Sequence, residues 1–106
     1  VFGNCDPARP LARYAERLGL QVHHPMGRME VDGRTLAFTH GDDPDLMQAA
    51  IDEGADFLLH GHTHVRADRQ VEATRVIKPG ALHRANPFTV ALLVPATGEL
   101  RWITVA

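Results

Sequence analysis

At 106 residues and 44% hydrophobic, the chain has the size of one small domain, which buries about two thirds of its unfolded surface. A formal charge of −2 without any block of like charge gives no electrostatic ground for a nucleic-acid or membrane-surface partner, and no apolar run approaches the roughly 20 residues of a membrane span. Cys5 is the sole cysteine, so no internal disulfide can form and a reducing, cytoplasmic compartment is expected. No repeat, low-complexity tract or signal-peptide pattern is visible, and residues 1–106 read as one unit.

Val1-Phe2 followed by Gly3-Asn4 reads as the end of a strand that hands an amide side chain to a loop. Asn4 equally suits a turn, since Asn tolerates the left-handed region. Asp6 before Pro7 predicts a helix cap with proline at the first helical position, although Pro10 also allows a start nearer Arg9. Leu11, Tyr14, Ala15 and Leu18 fall at i, i+3, i+4 and i+7 and make one apolar face, which Gly19 closes. His23 and His24 lie just before Pro25; adjacent strand residues point to opposite faces, so surface or loop roles are expected of both. Residues 29–31, the pair Asp32-Gly33 and residues 34–39 predict a hairpin. Asp43-Pro44 starts a second helix with Leu46, Met47, Ala50 and Ile51 inward and Gly54 at its end. Capping accounts for Asp43, and Met47 belongs to the core.

Phe57-Leu58-Leu59 reads as a short strand buried on both faces, and it breaks into His60-Gly61-His62-Thr63-His64. Leu36-Ala37-Phe38 likewise runs into Thr39-His40-Gly41. Two such strands side by side would aim their histidines at one rim, and ligands of open α/β sheets gather at the carboxyl ends of strands. Imidazole is the commonest metal ligand near neutral pH. Further on, the chain turns polar over residues 66–70, Val76-Ile77 forms a strand ending at Lys78-Pro79-Gly80, and residues 88–94 and 100–105 form two final strands around Pro95 to Gly98. Trp102 is expected against the core, and His83 and Arg84 near the same rim, within reach of an anionic substrate.

Gly3-Asn4-Cys5-Asp6, Thr39-His40-Gly41, Gly61-His62-Thr63-His64 and Pro79-Gly80, in this order and spacing, closely resemble the second half of calcineurin-like metallophosphoesterases, and most of all the small bacterial and archaeal phosphodiesterases of that superfamily. The resemblance implies an α/β fold, half of a two-sheet sandwich without its N-terminal βαβ part. It also implies a phosphodiesterase acting on phosphate esters, with Asn4, His40 and His62 on one divalent ion and His64 on the other. Asn4 and His62 are the residues it places in catalysis. A hydroxide bridging the ions attacks phosphorus, as in other two-metal centres. Manganese is favoured among the metals; Ni²⁺, Fe and Zn²⁺ also suit such donors. Cys5 stands where many members carry His, though the small branch often has Cys there, and Lys78 stands where Asn commonly precedes Pro-Gly.

The family's Asp-x-His and Gly-Asp motifs have no counterpart here, and Asn4, His40, His62 and His64 are all neutral donors. Two divalent ions would bring about four positive charges to a centre without carboxylates. The expectation is therefore a C-terminal half whose Asp and His ligands lie upstream or on a partner chain, with at best one weakly bound ion and little activity alone. The alternatives are a non-catalytic metal-binding or scaffold module, or one half of a split enzyme; a homo-oligomer is also open.

Overall fold

The computed structural model describes residues 1–106. In chain order its elements are α1 (Ala8–Arg17), β1 (Met26–Val31), β2 (Arg34–Thr39), α2 (Pro44–Asp52), β3 (Phe57–Leu59), β4 (Ala67–Val71), β5 (Thr74–Lys78), β6 (Thr89–Val94) and β7 (Glu99–Thr104). Five strands form one sheet in the order β1-β2-β3-β5-β4, and β6 and β7 form a separate antiparallel pair. The three central strands β2, β3 and β5 are parallel, while β1 and β4 close the edges antiparallel.

Side-chain alternation on these strands splits the core in two. Ala37, Leu58 and Val76 stand abreast across the parallel strands and face α2, where Ala50, Met47 and Ile51 pack with them. Leu36, Phe57 and Ile77 point the other way, onto Leu93 of β6 and Leu100 of β7. The sheet is thus covered by a helix on one face and a hairpin on the other. The second sheet of the expected two-sheet arrangement is the β6–β7 pair, whose period-2 alternation supplies the apolar face that covers this side.

The hairpin around Asp32-Gly33 forms as read, with positive φ at both turn residues (51° and 75°), as a two-residue turn of this hand requires. β1 begins at Met26, three residues earlier than the sequence pattern indicates. Asp43 caps α2: its carboxylate accepts the backbone N–H groups of Asp45 and Leu46. Asp6 does not cap α1. Its carboxylate accepts the Gly3 N–H at 2.7 Å while its own N–H donates to the Gly3 carbonyl, so the side chain is spent on closing the Gly3-Asn4-Cys5 turn. None of the residues of α1 is buried, and Tyr14 and Leu18 are exposed despite lying on its apolar face. The polar run after Arg66 is an edge strand, β4, tied to β5 by an Asp68–Arg75 ion pair at 2.8 Å. No helix is long and apolar enough to cross a membrane.

Candidate metal centre

Parallel pairing of β2 with β3 sets Phe38 beside Leu59, so both strands release the chain at the same rim. One step on, the Gly61 N–H donates to the His40 carbonyl at 2.8 Å, which locks the two strand tips together. Gly41 makes this close approach possible. Its φ is +110°, and a Cβ there would lie 2.7 Å from His60 Nδ1 and 3.0 Å from the Gly61 carbonyl. Beyond the tip, His62 and His64 both take left-handed backbone (φ 71° and 62°), costly for residues with a Cβ and typical of segments that aim functional side chains.

Three side chains converge there. His40 Nε2 lies 3.0 Å from Asn4 Oδ1 and 3.1 Å from His62 Nδ1, and the two imidazoles meet edge to face at 4.9 Å between centroids. A ring nitrogen carries at most one proton, so His40 Nε2 can donate to only one of the two atoms it faces. Lone pairs gathered in this way suit a cation. Two donors on one divalent ion at about 2.1 Å stand roughly 3.0 to 3.4 Å apart in octahedral or tetrahedral geometry, and the observed separations match that spacing. The residues therefore fit a metal, through two imidazoles and an amide. No three His, Cys, Asp or Glu side chains make such a group.

Carboxylates are nearby. A cavity of about 260 Å³ beside Asn4 and His40 is also lined by Asp6, Asp42 and Asp43. Asp6 and Asp43 are engaged by backbone N–H groups, which leaves exposed Asp42 as the uncommitted acid. Its signal in the sequence was its place two residues after His40. Cys5 is exposed. His60 departs from the other histidines of its run: it is buried, its Nδ1 has no partner, and burial is the main cause that lowers its pKa, with Lys78 and Arg69 adding to the effect and the Gly61 backbone carbonyl, an acceptor for the protonated ring, opposing it.

His64 turns to different neighbours. Its ring faces His83 at 6.2 Å between centroids, and it lines a cleft of about 480 Å³ with Thr63, Arg66, Arg84 and Asn86. Lys78 Nζ donates to Thr63 Oγ1 at 3.1 Å, steadying the residue between His62 and His64. His23 and His24 are exposed in a loop, His24 accepting the Phe2 N–H. The family model of the calcineurin-like phosphoesterase superfamily domain matches residues 1–98. The chain belongs to this superfamily.

Relatives of this chain are longer. A phosphodiesterase of Methanocaldococcus jannaschii is 36% identical over 53 residues, which is 49% of this chain and 32% of the relative. A solved archaeal phosphodiesterase superposes on 98% of this chain and 66% of its own, with 26% identity and a TM-score of 0.82. Vacuolar protein sorting 29 of Entamoeba histolytica, solved as a zinc complex, shares the fold at 15% identity and a TM-score of 0.52, over 80% of this chain and 63% of its own. The match spans about a third of the curated relative and at most about two thirds of these solved chains.

Proposed function

We propose that this chain provides the amide and imidazole side of the centre of a metal-dependent phosphodiesterase. Asn4, His40 and His62 hold one divalent ion and His64 a second, with Mn²⁺ favoured and Ni²⁺, Fe and Zn²⁺ also suited to the mixed oxygen and nitrogen donors. The observation that carries this reading is the 3.0 and 3.1 Å spacing of Asn4 Oδ1, His40 Nε2 and His62 Nδ1. Bound ions of this kind polarise phosphoryl oxygens and lower the pKa of the attacking water. The chain's own contribution is to fix donor geometry: Gly41 lets the two strand tips close up, and Lys78 holds Thr63 between the two ligand histidines. His83 and Arg84 contact the anionic substrate.

Charge decides what else is needed. All four proposed ligands are neutral, so carboxylates from outside the set must balance two cations. Asp42 is the acid of this chain best placed to assist, and further Asp and His ligands from other polypeptide complete the centre. A reducing, cytoplasmic setting accords with the exposed thiol of Cys5.

Calorimetric titration of the 106-residue chain with Mn²⁺ and Ni²⁺ tests the assignment. The expected result is one weak site per chain, lost in His40→Ala and in His62→Ala, together with negligible manganese-stimulated hydrolysis of bis-p-nitrophenyl phosphate. Metal binding indifferent to both substitutions refutes the ligand set; appreciable turnover by the chain alone refutes the charge argument.

A further inference from the structure

The cleft on the far side of His64 holds a second feature. Arg66 and Arg84 both line it, with His64, Thr63 and Asn86, and no Asp or Glu does. Neither guanidinium takes part in an ion pair; those of the structure are Arg28–Glu53, Arg34–Asp56 and Arg75–Asp68. Two cations without a carboxylate partner on one concave surface repel each other, whereas a shared anion would bind both.

Arg66 is also held in position. Its guanidinium carbon lies 5.3 Å from the ring centroid of Trp102, within the range of a cation–π contact. The indole N–H donates to the Lys78 carbonyl at 3.4 Å, anchoring the ring to the strand end that leads into the rim. A guanidinium lying over a ring keeps its N–H edge free, and that planar fork matches two oxygens of a phosphoryl group. Arg84 is presented from left-handed backbone, φ 49°. Of the five non-glycine residues with positive φ, Asp32 and Glu72 sit in hairpin turns, and His62, His64 and Arg84 all belong to this rim. The strain is gathered where side chains are aimed at solvent-filled space.

We propose that Arg66 and Arg84 form an anion subsite next to the metal centre, which selects phosphate esters whose far arm carries a further phosphoryl group. The substrate assignment rests on the phosphodiesterase reading, because it takes the scissile phosphate to lie at His62 and His64, with the other end of the molecule in the cleft. The subsite itself is independent of any metal.

Trp102 is the single tryptophan of the chain, so an anion that engages Arg66 reports on itself. In chelator-treated buffer, titration with inorganic phosphate is expected to give a saturable change in Trp102 fluorescence. Arg66→Gln and Arg84→Gln should each weaken the apparent affinity about five- to tenfold, as loss of one charge-assisted contact in a solvated cleft implies, and His40→Ala should leave it within about twofold. Because Arg66→Gln alters the fluorophore's surroundings, the same titrations are read by ³¹P line broadening of the phosphate, with circular dichroism establishing that each variant is folded. The proposal is overturned by a response that sodium chloride reproduces at equal ionic strength, by phosphate binding unaffected by both arginine substitutions, or by binding lost in His40→Ala. The His40→Ala metal titration fails or succeeds separately, so the two readings cannot be confused.

Discussion

Gly41 separates two histidines that the fold uses in opposite ways. His40 before it opens onto the rim, and His60, across the strand pair, is buried with an unpartnered Nδ1. Adding a methyl at Gly41 would meet His60 Nδ1 at 2.7 Å and the Gly61 carbonyl at 3.0 Å, at a φ of +110°. The Gly61 carbonyl belongs to the backbone next to the bond from Gly61 to His40, and His60 is buried, so both neighbours resist displacement. Gly41→Ala is therefore expected to destabilise the chain by about 1–3 kcal/mol through strain and overpacking and to lower metal affinity by displacing His40. Urea unfolding and Mn²⁺ titration of the variant check both effects, and a stability change below about 0.5 kcal/mol, the scale of an ordinary surface substitution, would show that the tips can separate freely.

The elements differ widely in how firmly they are held. β4 shows what keeps an edge strand in place: Arg75 of β5 donates through Nε and Nη2 to the Asp68 carboxylate at 2.9 and 2.8 Å, and through Nη1 to the Gly98 carbonyl. The hydrogen bond from Arg75 is the main reason that the Asp68 carboxyl sits below its usual pKa, with its charge adding to the effect and burial opposing it. The folded state therefore binds this proton less readily than the unfolded state. The pair's contribution is present above the unfolded value of about 3.9 and is lost as pH falls through the folded pKa. Asp68→Asn should cost on the order of 0.5–1 kcal/mol at pH 7, a value reduced for partial exposure, and the difference between wild type and variant should shrink as pH falls from the unfolded value through the folded pKa of Asp68. A difference that stays constant as the solution is acidified below about pH 4 would assign the loss to packing. At the other end of the chain, α1 buries nothing, so Leu18→Ala is expected to change the urea midpoint very little. Leu58→Ala, which empties a fully buried position between the sheet and α2, should cost about 2–5 kcal/mol.

As a whole the chain exposes more surface than a domain of its size should. Its accessible area is 7056 Å², against about 5,900 Å² for a folded monomer of this mass. Its radius of gyration is 14.0 Å, against about 13 Å. Thirteen residues are buried, and the apolar ones form two small clusters of five and three, while the outer face of the β6–β7 hairpin leaves Leu92, Val94 and Ile103 in solvent. Small divided cores give little stability. Calorimetry of the purified 106-residue chain should show a melting midpoint below the 45–65 °C or so typical of mesophilic domains, and a midpoint above about 65 °C would contradict this estimate of its core.

What the residues themselves determined follows from short-range physics. Asp43-Pro44 states a helix start, Asp32-Gly33 a two-residue turn, and an apolar triplet running into histidine a buried strand with that histidine near its tip, because each depends on neighbours a few positions away. The ordered Asn, His and His-x-His motifs even announced the family and the rim. The tertiary structure decided the rest. Asp6 looked like a cap because the pattern is local, yet its carboxylate accepts the Gly3 N–H instead; Tyr14 and Leu18 belong to an apolar face but remain exposed. His60, His62 and His64 are equivalent on paper, and strand pairing buries the first, joins the second to His40 and Asn4, and turns the third toward His83. Arg66 and Trp102, thirty-six positions apart in the chain, meet only because β5 lies beside β4 and the final hairpin folds back over the sheet. Contacts between residues so distant in sequence are set by how the layers pack, and no local pattern encodes them.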